Sequence, residues 1–135
     1  LQSETQPRPL YSCGQGLRLT ATGTGTQDIA HGLGVVPKLF RVWYSANNGN
    51  NNSFITGSGS ATSTSVYSCT YNSASNDTNA DAAQTTQTTS AVIQTSNDTG
   101  TALTVAVPSV MDATNVTLNF TTSSLGVYFQ WECFA

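Results

Sequence analysis

Apolar residues recur along this chain with a period of two, most clearly in the stretch His31 to Tyr44, HGLGVVPKLFRVWY. From Lys38 to Tyr44 the residues Phe40, Val42 and Tyr44 fall on one face and Leu39, Arg41 and Trp43 on the other, which is the alternation of a strand. Bulk on both faces predicts a central strand, covered by a second sheet on one side and by a loop or neighbouring subunit on the other. Upstream, Gly32 and Gly34 give the backbone freedom beside His31. Pro37 fixes its own φ and drives Val36 toward extended geometry, so a sharp turn ends near Pro37.

The same reading places further strands along the chain. Leu17, Leu19 and Ala21 alternate with Arg18, Thr20 and Thr22, and TGTGT at 22–26 follows as a hairpin-like turn. Phe54 and Ile55 start a short strand that GSGS at 57–60 interrupts. Between Thr64 and Tyr71 the side bearing Tyr67, Cys69 and Tyr71 is expected inward. Val92 and Ile93, then Leu103, Val105 and Val107 ending at Pro108, read as two strands joined by SNDTG at 96–100. Val116, Leu118 and Phe120 face in from 115–121, as do Val127, Phe129, Trp131 and Cys133 near the C-terminus. Trp43, Tyr44, Tyr67, Tyr71 and Trp131 could include a sugar-stacking platform, but both tryptophans are expected in the core, as strand aromatics usually are.

Two segments are built for solvent instead. NNGNNNS at 47–53 is all turn chemistry, and NSASNDTNADAAQTTQTTS at 72–90 holds no Leu, Ile, Val or aromatic residue. So long a polar stretch inside a compact domain is either a binding loop or a set of hidden short polar strands. No segment has helical periodicity over several turns and there is no internal repeat. The expected fold is all-β: a single antiparallel β-sandwich or jelly roll of about eight strands. The sandwich occupies 12–135, preceded by an extended N-terminal arm at 1–11, LQSETQPRPLY.

Composition narrows the setting. The chain has 135 residues, enough for one domain with a core of its own. Only 8% are charged, against about 25% in ordinary soluble proteins, so hydroxyls and amides do the solvating. A net charge of -3 with four basic residues lacks the clustered Lys and Arg that nucleic acid needs, which excludes DNA and RNA as direct partners. No run reaches the roughly 20 apolar residues of a membrane helix. Cys13, Cys69 and Cys133 have no CxxC spacing, and buried free thiols are the simplest reading.

No catalytic constellation is visible. His31 is the single histidine, it lies in a glycine turn, and no GxSxG elbow accompanies it, so a backbone-bonding turn histidine is expected. The aspartates lie in turn-like contexts, Asp77 and Asp98 directly between Asn and Thr, where Asx turns explain them. Asn76, Asp77, Asn79 and Asp81 cluster like a calcium loop but lack the EF-hand glycine and glutamate, so no metal and no cofactor are assigned. The sequons at Asn51, Asn76, Asn97, Asn115 and Asn119 are what an Asn- and Thr-rich chain gives by chance.

HGLGVVPKLFRV, DATNVTLNF at 112–120 and the closing aromatic strand together resemble a domain recurring in virion proteins of tailed phages, where an HGLG-x-x-P-K turn precedes a strand and an A-x-N-V strand precedes a C-terminal one. The resemblance implies a non-enzymatic β-sandwich on the particle surface, often trimeric, assembled in the host cytoplasm. As a stand-alone small domain with an arm, the chain is expected to be a capsid decoration (cement) protein bound to the major capsid protein or other virion subunits. Pro7, Arg8, Pro9, Leu10 and Tyr11 are its expected docking arm. The alternative is a tail-fibre or head-fibre receptor-binding module that meets a host surface glycan through exposed loops. Its expected contacts are Tyr44, Asn47, Asn48, Asn50, Asn51 and Asn52, together with Asn76, Asp77, Asn79 and Asp81.

Overall fold

The computed structural model describes residues 9–46, 54–77, 80–97 and 101–135. Two antiparallel sheets form a β-sandwich. The strands are β1 (Tyr11–Arg18), β2 (Gly25–Ala30), β3 (Leu39–Ala46), β4 (Phe54–Ser63), β5 (Val66–Asp77), β6 (Ala80–Thr88), β7 (Ile93–Ser96), β8 (Ala102–Met111), β9 (Asn115–Ser123) and β10 (Val127–Phe134). One sheet has six strands in the order β1-β10-β3-β4-β5-β6, and the other has four in the order β2-β9-β8-β7.

β3 is central, as its pattern predicts, flanked by β10 and β4. Phe40, Val42 and Tyr44 point into the sandwich beside Val127, Phe129 and Trp131 of β10, and meet Val116, Leu118 and Phe120 of β9 in one core. The opposite face of β3 differs from expectation. Arg41 and Trp43 are exposed there rather than covered, and Trp43 retains 37% of its surface.

Several sequence expectations are corrected by the strand bounds and burial, among them the interruption at 57–60, through which β4 runs unbroken. The first strand runs from Tyr11 to Arg18, not over 17–21, and Thr20–Thr22 is a 3-10 turn. Tyr11, the last residue assigned to the arm, is therefore in the sheet, paired with Phe134. The inward positions of β1 near its centre are Gly14 and Gly16, where a Cβ would overlap the rings of their cross-strand partners Trp131 and Phe129. Those rings fill the space that side chains of β1 would otherwise occupy. In β8 the buried set is Thr104, Ala106 and Pro108, while Leu103, Val105 and Val107 are half-buried. The strand also continues past Pro108, which sits at a register shift against β9.

The polar stretch 72–90 resolves into the second of its two expected forms. Most of it belongs to β5 and β6, which pair from Cys69↔Thr88 to Asp77↔Ala80. This hairpin lengthens the strand expected over 64–71 and adds β6; together with β2, whose start at Gly25 lies in the stretch expected to turn, it brings the count among the described residues to ten.

Polar groups tie the layers together. The Tyr44 hydroxyl donates to the Gln94 carbonyl at 2.8 Å and accepts from the Gln94 N–H at 3.2 Å, bridging β3 to the edge strand β7. Gln94 Nε2 in turn donates to the Tyr71 hydroxyl. Arg18 is 4% exposed. Its guanidinium donates to the Gly23 carbonyl at 2.7 and 3.1 Å and lies 4.8 Å from the Phe120 ring centroid, closing one end of the sandwich.

Candidate functional site

The expected site residues do not come together. Tyr44, expected at an exposed loop, is 4% exposed and committed to Gln94. Burial pushes its hydroxyl well above the usual phenol range. Asn47, Asn48, Asn50, Asn51, Asn52 and Asn79 lie outside the described residues, as do Pro7 and Arg8. Asn76 and Asp77 fall at the end of β5, and Asp81 pairs with Asn76 from β6. Of the arm, Leu10 is 76% exposed, and its carbonyl accepts the Ala135 N–H at 3.0 Å.

His31 is a turn residue, as expected. It is buried, the Leu33 N–H donates to its Nδ1 at 3.1 Å, and its Nε2 is 2.8 Å from the Asp112 carbonyl. Because Nδ1 accepts, the ring proton lies on Nε2 and is donated to Asp112. The Asp112 carboxylate caps its own turn by accepting the Asn115 and Thr114 N–H groups, which hold it below the usual carboxylate value. Among the described residues no three His, Cys, Asp or Glu side chains converge to hold a metal ion. Cys69 and Cys133 are buried free thiols, as expected, whereas Cys13 is exposed.

What the strand pairing does assemble is the outer face of the six-stranded sheet. Residues opposite one another form rows across it. One row is Gln15, Gln130, Trp43, Ser58, Thr70 and Gln87, and the next is Leu17, Tyr128, Ser45, Thr56, Asn72 and Thr85. The β5–β6 half carries hydroxyls and amides. Large rings and leucines gather over β1, β10 and β3, where Tyr128 is 63% exposed.

Two depressions lie over those three strands and share Gln15, Trp43 and Gln130. The larger, about 640 Å³, also takes in Leu17, Ser45 and Tyr128. The smaller, about 470 Å³, runs toward Tyr11, Cys13 and Glu132. Both fall within the ordinary size of small-molecule sites. At the far end Tyr11 packs on Phe134 with centroids 5.2 Å apart, and Glu132 and Cys13 beside it push its hydroxyl upward. Arg41 stacks its guanidinium 5.0 Å from the Trp43 ring, lines a third depression toward β4, and contributes to neither of the other two. The stacking holds the indole in place as a wall between them.

Sequence reasoning misses this face for a definable reason. Alternation places Trp43 and Tyr128 opposite the core face of their strands, yet only the β10–β3 register makes them neighbours. No protein-family model and no curated protein sequence matches this chain.

Proposed function

We propose that this chain is a non-enzymatic structural protein of a phage virion, a capsid decoration protein that docks as a trimer where shell subunits meet. The resemblance carried by HGLGVVPK and DATNV motivates it, and the small sandwich of low charge suits a particle surface. The observation that bears most weight is the position of β1. Among the described residues it is the edge strand of the larger sheet, paired on one side only, and in sequence it directly follows the Pro-containing segment 1–10. An edge presents free N–H and C=O groups, and such an edge beside an arm is the geometry for adding to a strand or loop of another subunit.

In this role the chain stabilises the assembled shell by mass action, because it binds the shell and not separated subunits. Saturation at a hundred times Kd contributes about 2.7 kcal/mol per site. Purified chain is mixed with capsids lacking it, and bound copies and the temperature of shell opening are measured. Saturable binding with a higher opening temperature is expected, and removal of residues 1–10 is expected to abolish both. Full binding by the truncated chain overturns the docking assignment. Failure of the intact chain to bind any capsid of its source phage overturns the decoration role.

A further inference from the structure

We propose that the outer face over β1, β10 and β3 binds a neutral oligosaccharide, with Trp43 and Tyr128 as stacking surfaces and Gln15 and Gln130 as hydrogen-bonding groups. A sugar ring has apolar C–H faces and a rim of hydroxyls. Its site therefore needs aromatic faces next to groups that both donate and accept.

This face has that composition in register. Gln15 and Gln130 are direct cross-strand partners, both exposed, and neither side chain has a hydrogen-bond partner among the described residues. Gln130 is in turn paired with Trp43, and Tyr128 with Ser45, so the two rings are diagonal neighbours on adjacent strands. Such neighbours are about 7–8 Å apart, close enough to serve successive parts of one chain. The larger depression is lined by Gln15, Leu17, Trp43, Ser45, Tyr128 and Gln130, with no carboxylate, ammonium or guanidinium among them. Arg41, stacked on Trp43, and Glu132 in the adjoining depression lie at its margin with opposite charges, so the lining itself favours an uncharged ligand over an acidic glycan or a charged peptide. A second copy of this chain would have to bury both unpartnered amides, whereas a polyol satisfies them.

The site lies on the sheet face and not in the amide-rich loops, and it does not depend on whether the chain docks on a capsid through its arm. The test is an array of neutral and acidic oligosaccharides probed with the full chain. Titration of the best neutral hit follows, read by calorimetry and tryptophan emission. Trp43 is at the surface while Trp131 faces the core, so a binding-induced emission change that is absent from Trp43→Phe reports on the site.

Saturable binding of a neutral oligosaccharide is expected. Trp43→Ala should weaken it about tenfold or more, Trp43→Phe less, and Tyr128→Ala and Gln130→Ala about threefold or more each. Tyr128 and Gln130 are exposed, so their loss leaves the core intact. Four outcomes each overturn the proposal: no neutral ligand binding below about 10 mM, preference for acidic glycans, affinity unchanged in both Trp43→Ala and Tyr128→Ala, or a sedimentation shift showing this face occupied by a second copy.

Discussion

Replacing Tyr44 with Phe removes one oxygen and nothing else, and the cost follows from what that oxygen holds. The hydroxyl donates to the Gln94 carbonyl at 2.8 Å and accepts from the Gln94 N–H at 3.2 Å, serving both backbone groups of an edge residue. Without it two backbone groups lose their partner beneath the six-stranded sheet. A buried unsatisfied group costs about 1–3 kcal/mol. Gln94 is half-buried and some water reaches it, so the pair together should cost about 2–3 kcal/mol. For a domain of this size that corresponds to a fall of roughly 6–15 °C in Tm. Urea unfolding should show the same loss as a lower midpoint with unchanged slope.

A second readout is specific to the hydroxyl. Burial holds Tyr44 protonated in the fold well above the pH at which the unfolded chain ionises it. The unfolded state then binds fewer protons than the native state above about pH 10, so stability falls as pH rises. Tyr44→Phe removes that contribution, and its alkaline stability curve should be shallower by up to about 1.4 kcal/mol per pH unit. A loss under about 0.5 kcal/mol at neutral pH, or an unchanged alkaline slope, would refute the bridging role.

Three further predictions test the packing. Gly59 lies where an added Cβ would overlap the carbonyl of Val92, a backbone atom that cannot move aside, so Gly59→Ala should destabilise by about 3 kcal/mol. At Gly126 an added Cβ meets only ordinary contacts from 3.6 Å outward, and Gly126→Ala should stay within about 0.5 kcal/mol in the same melts. Burial pushes the Cys133 thiol up to about 12 from its ordinary value of 9.0, so it stays protonated in the fold while the unfolded chain ionises. Stability should therefore fall between about pH 9 and 12, less steeply in Cys133→Ala, and an identical pH profile for that variant would contradict its burial.

The strands with the heaviest inward side chains were legible in the sequence, and those with light ones were not. β3, β9 and β10 carry Phe, Val, Leu or Trp on one face, and alternation alone orients them correctly. β1 escapes because its inward glycines leave room for Trp131 and Phe129, so the apolar signal of that corner is written on another strand. In β8 the inward Thr104, Ala106 and Pro108 are smaller or more polar than the outward Leu103, Val105 and Val107, and register shifts near Ala106 and Pro108 disturb the phase. β5 and β6 pair through Asn, Ser and Thr, which carry turn signals and hydrogen-bond as well in a ladder as in a loop. The candidate binding face was hidden for a different reason. Its residues come from β1, β10 and β3, and they become neighbours only when the last strand inserts between the first and the third.

That insertion also bears on what the family resemblance can mean. The two segments that carry it, HGLG and DATN, meet in the fold: the His31 N–H donates to the Thr114 carbonyl at 3.1 Å while its ring donates to that of Asp112. Asp112 in turn caps Thr114 and Asn115, and Gly32 and Gly34 take φ of +69 and +72° so that Leu33 can enter the core between them. Each feature serves the clasp between the β2–β3 and β8–β9 connections. None faces the grooves over β1, β10 and β3. The clasp joins the two sheets and places no constraint on the outer face, so the HGLG turn specifies how the sandwich closes and not what it binds. Any binding specificity of this chain is therefore to be sought in Trp43, Tyr128, Gln15 and Gln130, and in the edge of β1.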